Sequence, residues 1–251
     1  MTRCYNHRPI MPWTAPIISL GTVRLAPGTT LNATDVMPSV TTDCGTAHSD
    51  AYGVLVSGPG RVQLDQPADG VNYSGSQAMI AVDNQLAASM AEIAPVFAAL
   101  VPLANFSYAP GTSMVIPSGG PSGIQCPHWG SASTTNGCSG HYPIIYAQGD
   151  LTLTGGSGQG LIIANGTVRL SGSAAFAGLV VVQSGSLQLD NTAVLHGRVL
   201  LLDPAGQVTV TGAAGVYRGD CPVDRLNLGR AVSRPVMRGS YLDMLMGRDA
   251  R

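Results

Sequence analysis

Four stretches between residues 144 and 210 repeat one pattern of apolar and polar positions. Each opens with an apolar triplet, passes a glycine turn, and ends in a short segment alternating apolar with polar side chains. In order they are Ile144-Ile145-Tyr146 with Leu151-Thr152-Leu153, Leu161-Ile162-Ile163 with Val168-Arg169-Leu170, Leu179-Val180-Val181 with Leu187-Gln188-Leu189, and Val199-Leu200-Leu201 with Val208-Thr209-Val210. Period-two alternation is the signature of a strand with one buried face. It places the Leu and Val of each second segment inward as aliphatic ladders and Thr152, Arg169, Gln188 and Thr209 outward.

Two glycine series keep step with the repeat. Gly149, Gly166, Gly185 and Gly206 mark the turn after each triplet, while Gly160, Gly178, Gly197 and Gly219 close a third segment before the next triplet begins. That third segment reads Ala175-Phe176-Ala177, Val194-Leu195-His196 and Val216-Tyr217-Arg218. Three short legs per unit with glycine at the corners predict a parallel β-helix. Hairpins of an antiparallel sandwich use the same glycine turns and alternation, but the near-constant interval from triplet to second leg favours stacked coils.

A looser copy of the pattern precedes the repeat, in Gly21-Thr22-Val23-Arg24-Leu25 and in Val54-Leu55-Val56 followed by Arg61-Val62-Gln63-Leu64. The chain therefore reads as mainly β: a single-domain parallel β-helix, or solenoid, over residues 17–225, after an irregular segment at 1–16. The coils are interrupted at about 76–103, where Leu86, Met90, Ile93, Phe97, Leu100 and Val101 follow the spacing of one apolar helix face. Pro95 within that segment is expected to kink or restart the helix, and the helix is expected to cover a flank of the stack. Residues at about 107–143 are rich in Gly, Ser, Pro and Thr and read as a long loop. Residues 226–251 form a C-terminal tail closing in a short helical turn.

Composition narrows the function classes. Of 251 residues, 32 are glycine and 17 proline, charged residues are 11% and aromatics 5%, which suits many turns and small aliphatic ladders. A net charge of −1 lacks the clustered basic surface that nucleic acid requires. There is no uninterrupted run of eighteen apolar residues, so no membrane span is expected. Met1 to Leu20 holds only a short, proline-broken apolar run without a signal-peptide cleavage site, so export would depend on a signal outside this sequence.

Four of the five cysteines have a histidine close behind: Cys4 with His7, Cys44 with His48, Cys126 with His128, and Cys138 with His141. Cys126, His128, Cys138 and His141 would make enough ligands for one tetrahedral zinc, but their spacing defines no zinc family. A disulfide between Cys126 and Cys138 would staple the same loop with fewer residues, and is the preferred reading. Cys44 and Cys221, beside the first and last expected coils, are further disulfide candidates. No cofactor is expected.

Enzymes built on parallel β-helices use clustered carboxylates on an outer face. Here Arg169, His196 and Arg218 are the candidate ligand face, suited to an acidic sugar, but no paired carboxylates accompany them. Asp150, Asp190 and Asp203 sit beside corner glycines, where aspartate caps turns. The Gly155–Gly160 run lacks the lysine and following helix of a phosphate loop. No catalytic residue is assigned.

The segments Gly140-His141-Tyr142-Pro143-Ile144-Ile145-Tyr146, Gly149-Asp150-Leu151-Thr152-Leu153, Gly158-Gln159-Gly160-Leu161-Ile162-Ile163 and Gly178-Leu179-Val180-Val181-Val182 carry a resemblance. From Gly137 to Cys221 the chain resembles uncharacterised bacterial envelope β-helix proteins related to minor-pilin, or type IV pilus assembly, proteins. The pilin-like hydrophobic N-terminal helix of that group is not in this sequence. Polymer-forming bactofilins also stack short glycine-turned coils, but a cysteine-bearing loop does not fit them. The resemblance implies a non-enzymatic structural or interaction protein of the cell envelope or exterior, with protein partners there. A carbohydrate-binding or carbohydrate-cleaving β-helix is the alternative.

Overall fold

The computed structural model describes residues 15–35, 51–65, 70–117, 129–130, 140–220 and 223. The C-terminal tail at 226–251, most of the expected N-terminal segment and much of the expected loop lie outside these residues. Among the described residues the fold is mainly β, with eleven strands in one sheet, seven in a second, and one α-helix. Every strand pairing among the described residues is parallel, which excludes an antiparallel sandwich there.

From residue 144 the chain runs in circuits, each visiting both sheets. Strand β10 (Ile144–Ala147) lies in the large sheet and β11 (Leu151–Leu153) in the small one, and the front half of β12 (Ser157–Ala164) returns to the large sheet. The rear half of β12 starts the next circuit. It continues through β13 (Val168–Leu170) into β14 (Ala175–Val182), then through β15 (Leu187–Leu189) into β16 (Val194–Leu201). The last of these circuits ends in β17 (Gln207–Val210) and β18 (Gly215–Arg218). The third leg and the following first leg are thus one bent strand.

The N-terminal circuits join the same two sheets, but not where chain order suggests. Strands β1 (Ile17–Ser19), β2 (Thr22–Leu25) and β3 (Thr30–Asn32) pair with β16, β17 and β18, beyond the last circuit of the repeat. Strands β4 (Val54–Val56), β5 (Val62–Leu64) and β6 (Asn72–Ser74) add the next circuit, and β7 (Ile80–Val82) lies on β4. At the opposite end, β8 (Phe106–Tyr108) and β9 (Thr112–Met114) pair with β10 and β11.

Helix α1 (Leu86–Leu100) and a 3-10 turn (Val101–Leu103) carry the chain from one end of the stack to the other. Eight first-leg strands, from β7 to β8, must be passed. Seven steps of about 4.8 Å make roughly 34 Å. The helix supplies about 22 Å and the turn about 6 Å, and the few residues flanking them close the rest. The helix begins later than expected, because Ile80–Val82 is a strand. It also runs through Pro95 without restarting. Pro95 and Ala91 are both solvent-exposed, so the carbonyl orphaned by the missing N–H is open to water.

Two apolar clusters hold the fold. Inside the circuits, rows such as Ile145, Ile162, Val180, Val199, Ile17 and Val54 are fully buried, with the second-leg rows Leu151, Val168, Leu187, Val208 and Val23 opposite. Outside the first leg, Ile18, Leu55, Leu161, Ile163, Leu179, Val181 and Leu200 pack against Leu86, Met90, Ile93, Val96, Phe97 and Leu100 of α1. First legs are therefore buried on both faces, which is why they read as unbroken apolar triplets. Val181 belongs to the helix-covered face and not to the interior.

The corner between third and first legs is set by backbone approach. A Cβ at Gly178 would lie 2.0 Å from the Gly160 carbonyl oxygen, and one at Gly197 would lie 1.8 Å from that of Gly178. Their φ values of +143° and +147° are equally closed to a side chain.

Candidate functional site

The outer faces of the three legs differ in chemistry. The first leg is sealed by α1. The second leg presents an outward row of Gln63, Arg24, Thr209, Gln188, Arg169, Thr152 and Ser113, one per strand. At about 4.8 Å per step this row extends roughly 29 Å. Its two arginines are neutralised: Arg24 Nε donates to Asp65 Oδ1 at 2.6 Å, and Arg169 Nη2 meets Asp190 Oδ2 at 2.7 Å. The Asp65 hydrogen bond and charge hold the Arg24 guanidinium above its ordinary range. These pairs remove most of the positive field an acidic ligand would seek.

The third leg carries the outward row Gln159, Ala177, His196, Tyr217, Asn32 and Ser74. His196 stacks on Tyr217 with ring centroids 5.0 Å apart and an interplanar angle of 27°. Burial lowers the His196 pKa, and its buried Nδ1 has no hydrogen-bond partner among the described residues. Arg169 and His196 lie on different sheets, and Arg218 is not in the His196 row. The register pairs Tyr217 with His196 and Arg218 with Gly197. The structure therefore does not bring Arg169, His196 and Arg218 together as one ligand face.

Arg218 is instead fully buried in an ion cluster. Its Nη2 donates to Asp220 Oδ2, its Nε to Asp220 Oδ1 at 3.1 Å, and Arg198 Nη2 reaches the same Oδ1. Burial alone would raise the Asp220 pKa, but the Arg218 hydrogen bond and the Arg198 charge together hold it below the ordinary carboxylate range. The cluster also ties the last circuit of the repeat to the N-terminal circuits. Arg218 Nη1 donates to the Ala33 carbonyl at 3.4 Å, and the Asp220 backbone N–H donates to Asp35 Oδ1 at 3.1 Å. It thus fastens β18 to the segment after β3 across 185 residues of sequence. Sequence reading missed Arg198 and Asp220. The available signal was register: Arg198 occupies the position held by Leu161 and Leu179 in the preceding circuits.

Of the three turn aspartates, Asp150 and Asp203 accept backbone N–H groups, whereas the Asp190 carboxylate binds side chains instead. Asp150 Oδ1 accepts the Thr167 N–H at 2.7 Å, and Asp203 accepts the N–H groups of Gly185 at 2.8 Å and Ala205 at 2.9 Å. The Gly185 and Ala205 bonds depress the Asp203 pKa. Asp190 pairs with Arg169 and also accepts from Asn191 Nδ2.

Cys44, Cys126, Cys138, Cys221 and His128 all lie outside the described residues. Of the zinc alternative only His141 is described. Its carbonyl accepts Gln159 Nε2 at 2.9 Å, its buried Nε2 has no partner among the described residues, and burial lowers its pKa. Among the described residues no group of three metal-binding side chains forms. The segment Leu86–Leu103 is long and apolar enough to cross a membrane, where the sequence reading expected no span, but six residues of α1 are buried against the sheet. No family model, curated protein or solved structure matches this chain.

Proposed function

We propose that this chain is a β-solenoid scaffold: a non-enzymatic structural or interaction protein that offers its outer faces and ends to protein partners at the bacterial cell envelope. One observation carries the reading. Each of the seven described aspartates is engaged in a structural bond, at Asp35, Asp65, Asp83, Asp150, Asp190, Asp203 and Asp220. The five described arginines are equally engaged, Arg61 by donating to the Pro204 carbonyl and the rest within ion pairs. Charged groups that fasten turns and neighbouring circuits are poor general acids or ligand clamps, because moving them costs stability. The same compensation weighs against an acidic-glycan site on the second leg.

The envelope placement rests on the resemblance of residues 137–221 to minor-pilin-related proteins. Fractionation of the native host, with crosslinking before lysis and detection by an antibody to this chain, tests it. Recovery in the envelope fraction, crosslinked to other proteins, is expected. Recovery wholly in the cytosol without crosslinked partners would overturn the proposal.

A further inference from the structure

The interior ladders are closed from water, but their last rungs are not. The core row Ala147, Ala164, Val182, Leu201, Ser19 and Val56 is completely or almost completely buried, whereas Val82, the next rung on β7, is 46% exposed. Ile80 on β7 and Val62 and Leu64 on β5 are likewise only partly buried. At the opposite end the same holds for Phe106 and Tyr108 on β8 and Met114 on β9. The exposed large apolar residues among the described residues, Tyr52, Val82, Leu103 and Val115, all belong to these two end regions.

Among the described residues, both ends also present strand edges that no further strand pairs. Met114 C=O and the Ile116 N–H bond into the stack, to Thr154 N–H and Gly155 C=O, so the peptide groups of Val115 between them point off the end. Met79 C=O and the Asp83 N–H bond inward to β4, which aims the peptide groups of Val82 off the other end. Natural sheets guard such edges with charge or proline. Strands β5, β6, β7, β8 and β9 contain neither.

We propose that copies of this chain associate head to tail, the β5–β7 end of one on the β8–β9 end of the next. The occupant follows from the geometry. All strands are parallel, so the edge at one end is the complement of the edge at the other, and stacking would continue each core row without reversal. The chain already makes such a contact within itself: β1, β2 and β3 dock on β16, β17 and β18 by the same ladders, with no direct chain connection between those circuits. A contact between unlike ends does not close on itself and generates open chains. The inference rests on the scaffold reading and names a partner for it.

Sedimentation velocity of the full chain across a concentration series tests this, with circular dichroism confirming that each variant is folded. Wild type is expected to form successively longer species as concentration rises. Ser113→Pro blocks one end, since the peptide N–H at this exposed position points off the end, and Val82→Arg blocks the other. Each variant alone should sediment as monomer, and a 1:1 mixture should form dimers and nothing longer, because each supplies one open end. Ser113→Arg replaces the proline variant if that strand unfolds. Monomeric wild type at all concentrations would overturn the proposal, as would wild-type-like association of either folded variant or absence of dimers in the mixture. None of these results bears on envelope location or other partners, so the scaffold reading would survive them.

Discussion

Gly197→Ala asks how closely the circuits approach at their corner. An added Cβ would stand 1.8 Å from the Gly178 carbonyl oxygen and 2.7 Å from its carbon, where real contacts stay beyond 3.0 Å. The strand has to retreat by roughly 1 Å, which stretches the β14–β16 ladder and opens rows buried on both sides of it. The φ of +147° adds about 1–3 kcal/mol for a side-chain-bearing residue. With about 1–3 kcal/mol more for strained packing, the expected loss is about 2–6 kcal/mol. Gly111→Ala is the control: its φ is +78°, but no atom lies within 4 Å of the added methyl, so only the left-handed backbone cost of about 1–2 kcal/mol applies. Urea unfolding followed by circular dichroism gives both values. Equal losses in the two variants would refute the close-packed corner.

Asp220→Asn should destabilise by about 3–5 kcal/mol in the same assay, because two buried guanidinium groups lose their shared carboxylate. A loss below about 1 kcal/mol would show that the cluster does not fasten β18 to the segment after β3. Phe97→Ala should cost about 3–5 kcal/mol by opening the seam between α1 and the first legs, and an unchanged urea midpoint would mean that α1 is not docked. His196 and His141 have lowered pKa values, so the unfolded chain binds more protons than the fold near pH 6. Their contribution is therefore complete above about pH 6.5 and falls as pH drops through the folded values. Asp220 adds an acid limb of the same sign, complete above about pH 4 and lost below it. His196→Phe should flatten the first decline in a pH series of thermal midpoints, and an identical decline in wild type and variant would contradict this.

Much of the fold was legible because corner glycines and second-leg alternation recur at fixed offsets. Thr152, Arg169, Gln188 and Thr209 share an outward row, and Gly166, Gly185 and Gly206 stack at one turn, with Gly21 continuing the series beyond Gly206. The triplets were legible as apolar but not as two-faced, since periodicity does not say what covers the outer side. Stacking order was hidden for a different reason: a parallel ladder is the same whether neighbouring circuits are adjacent in sequence or almost 200 residues apart. The Arg198–Asp220–Arg218 cluster escaped because the third-leg row was read one residue out of register, putting Arg218 where Tyr217 stands. Trp129 escaped because nothing in its Gly- and Ser-rich surroundings marks a core residue. Yet it is fully buried, donates to Tyr108 Oη at 3.0 Å and meets the Phe176 ring edge-on.

Stacking order is the claim on which the ion cluster, the path of α1 and the complementary ends all depend. Cross-strand amide NOEs in isotopically labelled protein read it directly. The account predicts contacts of Ile18 with Leu200 and of Val23 with Val208, joining the N-terminal circuits to the last circuit of the repeat. Contacts of residues 54–64 with residues 106–114, with none between residues 17–25 and 199–210, would place the circuits in chain order and contradict it.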